Sequence, residues 1–531
     1  MFWVRIGMIV LKKEREKRKT QLNKRKKDSK PDQYNTLTQL VGGKTADDAE
    51  RNQPEEKPAA AKKEQTNKEI MLVTYIFIGL FVLVIAYITK FMISDSSEVI
   101  NNAYNGRQDL LSEQIIRGNI ISSDDKILAH TVTEKNGTEK RVYPYGSMFT
   151  HIVGRFSKGR TGLEASENFH LLTSNNNAIS KILRELSGEK NIGDNIITTL
   201  DSKLQKAAYD ALGNYKGAVV VTEPSSGKIL AMVSKPDYDP NNIDSLWEDL
   251  LEDSDNNSTL INRATQGLYP PGSTFKILTA LEYMKENPDY KKYTYNCVGK
   301  GKFNNVTINC YNNKVHGKED IKESFAKSCN SSFANIGITL DISSFRKLCD
   351  SFLFNAPLPT NLVYNQSSFV LTKKSSKTEI PQTVIGQGKT QITPLHNALI
   401  VSTIANGGVM MKPYVVDHIE NQNGNIIKKY MPEIYKTIIT PDEAGILTDF
   451  MTEVVKHGTA TALKNDNYTV AGKTGSAEYK EDKPAHAWFV GFAPAEKPEI
   501  AVSIIVESVG TGSEYAVPIA SKIFETYFNN K

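Results

Sequence analysis

The sequence predicts an α+β, or mixed α/β, protein that stands outside a membrane on one membrane-spanning helix. Three observations predict it: a single uncharged run from Ile70 to Thr89, a regular succession of strand, helix and hairpin after Asp194, and two apolar strands with a closing helix near the C-terminus. With 531 residues, 39% hydrophobic and 24% charged, the chain has material for two or three globular units.

The Ile70–Thr89 run has the length of a helix that crosses a bilayer core, and Lys90 closes it. Residues 1–69 carry many lysines and arginines, densest from Lys12 to Lys30, whereas the residues beyond the run are close to neutral. Positive charge holds its flank in the cytoplasm, so the chain from about Phe91 onward is expected to face outward. No small-residue cleavage pattern follows the run, which reads as an uncleaved anchor. The basic stretch fits a solvated flank against anionic lipid headgroups better than a nucleic-acid-binding arm, and no nucleic-acid partner is expected. Residues 31–69 are polar, poor in aromatics and mixed in charge, a composition that predicts disorder.

Outside the membrane the pattern changes once. Residues 94–193 mix a polar helical start (Ser96 to Glu113), an extended piece from Arg117 to Ile121 and scattered glycines, with nothing catalytic among them. Beyond Asp194, Ile196–Leu200 reads as a strand. Asp201 is placed to cap a helix in which Leu204, Ala208 and Leu212 share one face. Gly217–Thr222 and Lys228–Val233, parted by Glu223-Pro-Ser-Ser-Gly227, read as a β-hairpin. Ala487–Phe492 and Ile500–Val506 read as strands, and Pro518–Phe528 as a helix. The expected organisation is a tail (1–69), an anchor (70–93), a small non-catalytic domain (94–193) and a catalytic domain (194–531) whose sheet is flanked by helices.

Three short motifs in fixed order carry the chemistry: Ser273-Thr-Phe-Lys276, Ser328-Cys-Asn330 and Lys473-Thr474-Gly475-Ser476. Ser-x-x-Lys also occurs at Ser225 and Ser324, but only Ser273 follows a rigid Tyr269-Pro-Pro-Gly272 turn and opens an apolar helical stretch. Three residues apart on a helix, Ser273 and Lys276 share a face and are expected within hydrogen-bonding reach. A lysine acts as base toward serine only if burial and a neighbouring cation depress its pKa, and Lys473 is a candidate for that cation. Ser328 is placed to pass a proton to a leaving amine, and the Asn330 amide to hold a substrate peptide bond. Lys473, Thr474 and Ser476 offer a cation and two hydroxyls to a terminal carboxylate, with Gly475 permitting close approach of substrate backbone.

In combination these motifs resemble those of the penicillin-binding transpeptidases and serine β-lactamases. Gly386-Gln-Gly388, Thr393-Pro-Leu-His396, His457-Gly-Thr459, His486 to Pro494 and Arg117-Gly-Asn-Ile120 narrow the resemblance to class B penicillin-binding proteins, over roughly residues 95–531. The resemblance implies a serine β-lactamase/transpeptidase-like domain on a pedestal. It implies that Ser273 is acylated by the D-alanyl-D-alanine end of a peptidoglycan stem peptide, with Lys276 as base and Ser328 as proton relay. Asn330, Lys473, Thr474, Gly475 and Ser476 would bind substrate, backbone N–H groups of Ser273 and Ser476 would form an oxyanion hole, and β-lactam antibiotics would mimic the substrate. About 100 residues between anchor and catalytic domain leave no room for a glycosyltransferase domain, so the implied partner is a SEDS-family glycosyltransferase. A D,D-carboxypeptidase, a β-lactam hydrolase and a β-lactam sensor remain alternatives.

No cofactor is expected. Cys297 and Cys310 bracket a glycine-rich segment where a disulfide and free thiols are both open. With His316 nearby zinc is conceivable, but ligands at finger-like spacing are missing, so no metal is expected. Cys329 reads as a small buried side chain. His396, His457 and His486 read as structural, Trp488 and Phe492 as core, and Gly42-Gly-Lys-Thr45 as a chance match to part of a phosphate loop.

Overall fold

Two sheets organise the chain beyond the apolar run. The computed structural model describes residues 60–91, 112–253, 258–480 and 482–529. The Lys12–Lys30 run, the Gly42–Thr45 match and most of the expected Ser96–Glu113 helix lie outside the described residues. The chain divides into two units, residues 1–86 and 87–531. Helix α1 (Ala60–Lys90) begins in the first and ends in the second; it contains Ile70–Lys90, the one stretch among the described residues long and apolar enough to cross a membrane.

In the second unit, β1 (Gly217–Thr222), β2 (Ile229–Lys235), β3 (Ala471–Ala477), β4 (His486–Ala493) and β5 (Ile500–Val506) form an antiparallel sheet in the order β3-β4-β5-β1-β2. The β1–β2 hairpin is the one the turn composition predicts. Strands β1, β4 and β5 are buried at every residue. Since side chains alternate between faces, both faces of the sheet are covered. Helices α2 (Ser202–Leu212) and α6 (Gly512–Asn529) pack on one another and on the sheet; α5 (Pro394–Ala405) packs on its central strands. Asp201 caps α2 by accepting from the N–H groups of Lys203 and Leu204 at 2.8 Å. Helix α5 is buried from Pro394 to Ile404, which explains why it is apolar on all sides. Trp488 and Phe492 are core residues with no exposed surface.

The second sheet has six strands in the order Ile426–Lys429, Val416–Glu420, Asn195–Thr198, Ile120–Ile121, Ile127–Thr133, Glu139–Val142. Asn195–Thr198 pairs parallel with Ile120–Ile121 and antiparallel with Val416–Glu420, so this sheet draws strands from both sides of residue 194. Local hydrophobic patterning is blind to such long-range pairing. Beside this sheet, Glu164 accepts from Arg117 Nε at 2.6 Å and from Arg141 Nε at 2.7 Å, all three side chains being buried. Burial alone would raise the Glu164 carboxyl, but the two guanidinium groups more than reverse it and hold it below its ordinary value.

Candidate active site

The site forms where a turn, a loop and a strand meet. Pro270 and Pro271 stiffen the approach to a 3-10 turn, Gly272–Phe275, after which α3 (Lys276–Glu286) begins. Ser273 therefore stands one turn before the α-helix proper. Gly272 adopts φ +54°, and a Cβ there would meet the Ser476 carbonyl oxygen at 2.9 Å, so the Ser273 turn lies directly against strand β3. Gly272 also donates its N–H to the Gly386 carbonyl at 2.9 Å, and a Cβ on Gly386 would lie 1.9 Å from the Gly272 oxygen. This gives the Gly386-Gln-Gly388 motif a physical purpose: it backs the turn that carries Ser273.

Lys276 and Lys473 are both fully buried. The Lys276 ammonium donates to the Ser328 carbonyl oxygen at 2.8 Å, to Ser328 Oγ at 3.2 Å and to Asn330 Oδ1 at 2.7 Å. Lys473 Nζ donates to Ser328 Oγ at 2.9 Å and to its neighbour's Thr474 carbonyl at 3.1 Å. Each ammonium faces an aromatic ring at 5.5 Å, Lys276 that of Phe333 and Lys473 that of Phe325, which partly offsets the loss of water. Burial pushes Lys276 down to about 8; burial and the Lys276 charge push Lys473 well below the usual lysine range.

The expected direct Ser273–Lys276 hydrogen bond is corrected. Among the described residues the Ser273 hydroxyl has no hydrogen-bond partner, because Lys276 turns its three donors to Ser328 and Asn330. Ser273 itself is half-buried and open to a ligand. Ser328 takes φ +56°, a left-handed conformation uncommon outside glycine, in the loop before α4 (Asn330–Gly337). That turn aims its hydroxyl between the two lysines. Asn330 also donates from Nδ2 to the Asn309 carbonyl at 3.0 Å, leaving its second N–H for a ligand.

On β3, Thr474 Oγ1 lies 2.5 Å from Thr459 Oγ1, so His457-Gly-Thr459 supplies the strand's support, a role the sequence did not assign. The Ser476 carbonyl accepts from Gln387 at 3.3 Å, and its side chain is half-buried. Gly475 has a reason other than substrate approach: a Cβ there would meet Trp488 Cβ at 3.0 Å and Thr274 Cγ2 at 3.2 Å. Trp488 fixes the same corner by donating Nε1–H to the Pro270 carbonyl at 3.0 Å. His396 is buried against the Phe352 carbonyl, His457 sits at the surface on Glu453, and His486 stacks on Tyr479. None of the three meets the lysine pair.

Of the two states left open for Cys297 and Cys310, the structure holds one. Cys297 and Cys310 hold their sulfurs 3.7 Å apart as free thiols, with no disulfide between them. Although ligands at finger-like spacing are missing, donor atoms of Cys297, Cys310, His316 and Cys329 all lie within 4.8 Å of one another. Irregular spacing in the sequence concealed a group that the fold assembles.

Residues 217–525 match a family model described as the penicillin binding protein transpeptidase domain, and residues 117–196 one described as the penicillin binding protein A dimerisation domain. Peptidoglycan D,D-transpeptidase PbpA of Mycolicibacterium smegmatis is 31% identical over 456 residues, covering 77% of this chain and 89% of its own. The protein of the same name from Mycobacterium tuberculosis H37Rv is 32% identical over 446 residues, covering 78% and 90%. Among solved structures, the imipenem acyl-enzyme complex of penicillin-binding protein A from M. tuberculosis superposes with a TM-score of 0.72 at 30% identity, covering 79% of this chain and 100% of that one. A D,D-transpeptidase domain from Eggerthella lenta gives 0.70 at 31%, covering 78% and 99%.

Proposed function

This chain belongs to the penicillin-binding protein transpeptidase family, and we propose that it cross-links peptidoglycan stem peptides through an acyl-enzyme on Ser273. One observation carries the assignment of roles: two buried lysines converge on Ser328 Oγ beside the turn that presents Ser273.

Ser273 Oγ attacks the carbonyl of the penultimate D-alanine, and its proton passes to neutral Lys276, whose lowered pKa keeps part of it unprotonated near neutrality. The oxyanion is held by the backbone N–H groups of Ser273 and Ser476. On collapse the C–N bond breaks, and terminal D-alanine leaves as an amine after receiving the proton through Ser328 Oγ. Lys473, Thr474 and Ser476 hold the substrate carboxylate, Asn330 holds the peptide amide, and Gly475 lets β3 close against the Ser273 turn. The amine of a second stem peptide then displaces Ser273, which recovers its proton. A β-lactam follows the same first half, except that its leaving amine stays tethered.

In this reading residues 94–193 form the pedestal and 194–531 the transpeptidase domain, anchored by residues 70–93 with the basic residues 1–69 in the cytoplasm. Glycan polymerisation falls to a membrane-embedded SEDS-family partner.

The test is a fluorescent penicillin followed over hours on the unaltered protein and on Ser273→Ala. A label that persists, and is lost in Ser273→Ala, supports the transpeptidase. Rapid release supports a hydrolase, a stable label without cross-linking of stem peptides supports a sensor, and a label retained by Ser273→Ala removes the nucleophile.

A further inference from the structure

Four side chains drawn from separate segments meet behind the Ser328 loop. Cys297 ends the strand Thr294–Cys297, Cys310 follows the strand Val306–Asn309, His316 precedes the strand Gly317–Asp320, and Cys329 caps α4. Cys297 Sγ lies 3.7 Å from Cys310 Sγ and 3.4 Å from His316 Nδ1, and Cys310 Sγ lies 3.8 Å from Cys329 Sγ. With Zn–S near 2.3 Å and Zn–N near 2.0 Å, the edges of a tetrahedron are about 3.8 Å between sulfurs and about 3.5 Å between sulfur and nitrogen. The three observed separations match those edges. They do not match a disulfide, in which the sulfurs would be about 2.05 Å apart.

The surroundings suit thiolates. Backbone N–H groups of Gly299 and Ser332 donate to Cys297 and Cys329 sulfur at 3.4 Å each, and the buried Ser331 hydroxyl lies within hydrogen-bonding reach of all three sulfurs, at 3.3, 3.4 and 3.6 Å. Such donors are the outer contacts that orient metal-bound sulfur.

We propose that Cys297, Cys310, Cys329 and His316 Nδ1 bind one structural zinc ion in a closed Cys3His site. Three thiol protons go to solvent as the ion enters, leaving the thiolate–metal unit with a net charge of −1. No position remains open for water, so the ion takes no part in the chemistry. Its effect is on position: Cys329 stands between Ser328 and Asn330, and the metal–sulfur bond anchors the segment that holds Ser328 at φ +56° between Lys276 and Lys473. That last step rests on the proposed role of Ser328; the metal site itself does not.

The experiment is metal analysis of the purified full-length protein, together with thiol counting. The expected result is about one zinc per chain, released as the four buried thiols become reactive on denaturation with a chelator, and thiolate-to-metal charge-transfer absorption when Co2+ replaces zinc. Cys297→Ser and His316→Ala are expected to lose zinc, whereas Cys349→Ser, which alters a buried cysteine outside the cluster, keeps it. Folded protein that contains no metal, whether its four thiols are free or Cys297 and Cys310 form a disulfide, overturns the proposal. So does zinc retained by Cys297→Ser and His316→Ala together. Because metal content is read without penicillin, a failed labelling experiment leaves this result standing, and the reverse also holds.

Discussion

Lys473 donates to the Ser328 hydroxyl oxygen at 2.9 Å, and the same oxygen receives the Lys276 ammonium at 3.2 Å. One hydroxyl oxygen thus serves both amines, while burial and the Lys276 charge favour the unprotonated form of Lys473. With its lone pairs engaged, Ser328 directs its own proton elsewhere, which is the geometry a relay requires.

Removing that acceptor separates the lysines from each other's control. Ser328→Ala is expected to slow acylation by labelled penicillin about 10²- to 10⁴-fold, the range over which positioned proton transfer contributes. Stopped-flow or quenched labelling at saturating and subsaturating penicillin measures it; an unchanged rate would remove Ser328 from the proton path.

The lowered Lys276 value sets a pH dependence. A general base works unprotonated, so the second-order acylation rate is expected to rise with pH toward a plateau above about 8 and to fall about tenfold per unit below it. Replacing Lys276 with alanine should abolish the dependence together with most of the rate. A profile flat between pH 6 and 9, to take about that interval, would assign the base elsewhere.

Gly386→Ala tests the backing of the nucleophile turn. Gly386 has φ +80°, and the new Cβ would stand 1.9 Å from the Gly272 carbonyl oxygen, so the backbone itself must move. Strain and overpacking together are expected to cost about 2–6 kcal/mol. Thermal unfolding reads the loss, and slower acylation of the protein that remains folded reads the displaced Ser273.

Beside the six-stranded sheet, Glu164→Gln leaves Arg117 and Arg141 as buried charges without a counterion. The expected destabilisation is about 3–5 kcal/mol, with little change in acylation by the folded fraction. Because the folded Glu164 carboxyl lies below its ordinary value, its contribution is present above the unfolded pKa of about 4.3 and is lost as pH falls through the lower folded value. Unfolding midpoints of the two proteins should therefore converge as the solution is acidified.

Much of this protein was legible along the chain because the signals are local. An uncharged run of bilayer length, the Asp201 cap, the Glu223–Gly227 turn and the apolar runs of β4 and β5 each depend on neighbours a few residues away. The order of the three motifs likewise pointed to serine, lysine and a second cation. What local reading mistook was direction: it joined Lys276 to Ser273, one turn along the helix, whereas the fold turns that ammonium to Ser328 and Asn330. Nor could it see that Trp488 and Thr274 leave no room for a Cβ at Gly475.

The sequence by itself determined which elements form and which side chains have reactive chemistry, because hydrophobic period, capping and turn geometry act over a few residues. Only the tertiary structure decided that residues on both sides of 194 share a sheet, that Thr459 supports Thr474, and that three cysteines and a histidine from four segments converge. Those contacts are fixed by packing between elements far apart in the chain, where spacing in sequence holds no information about distance in space.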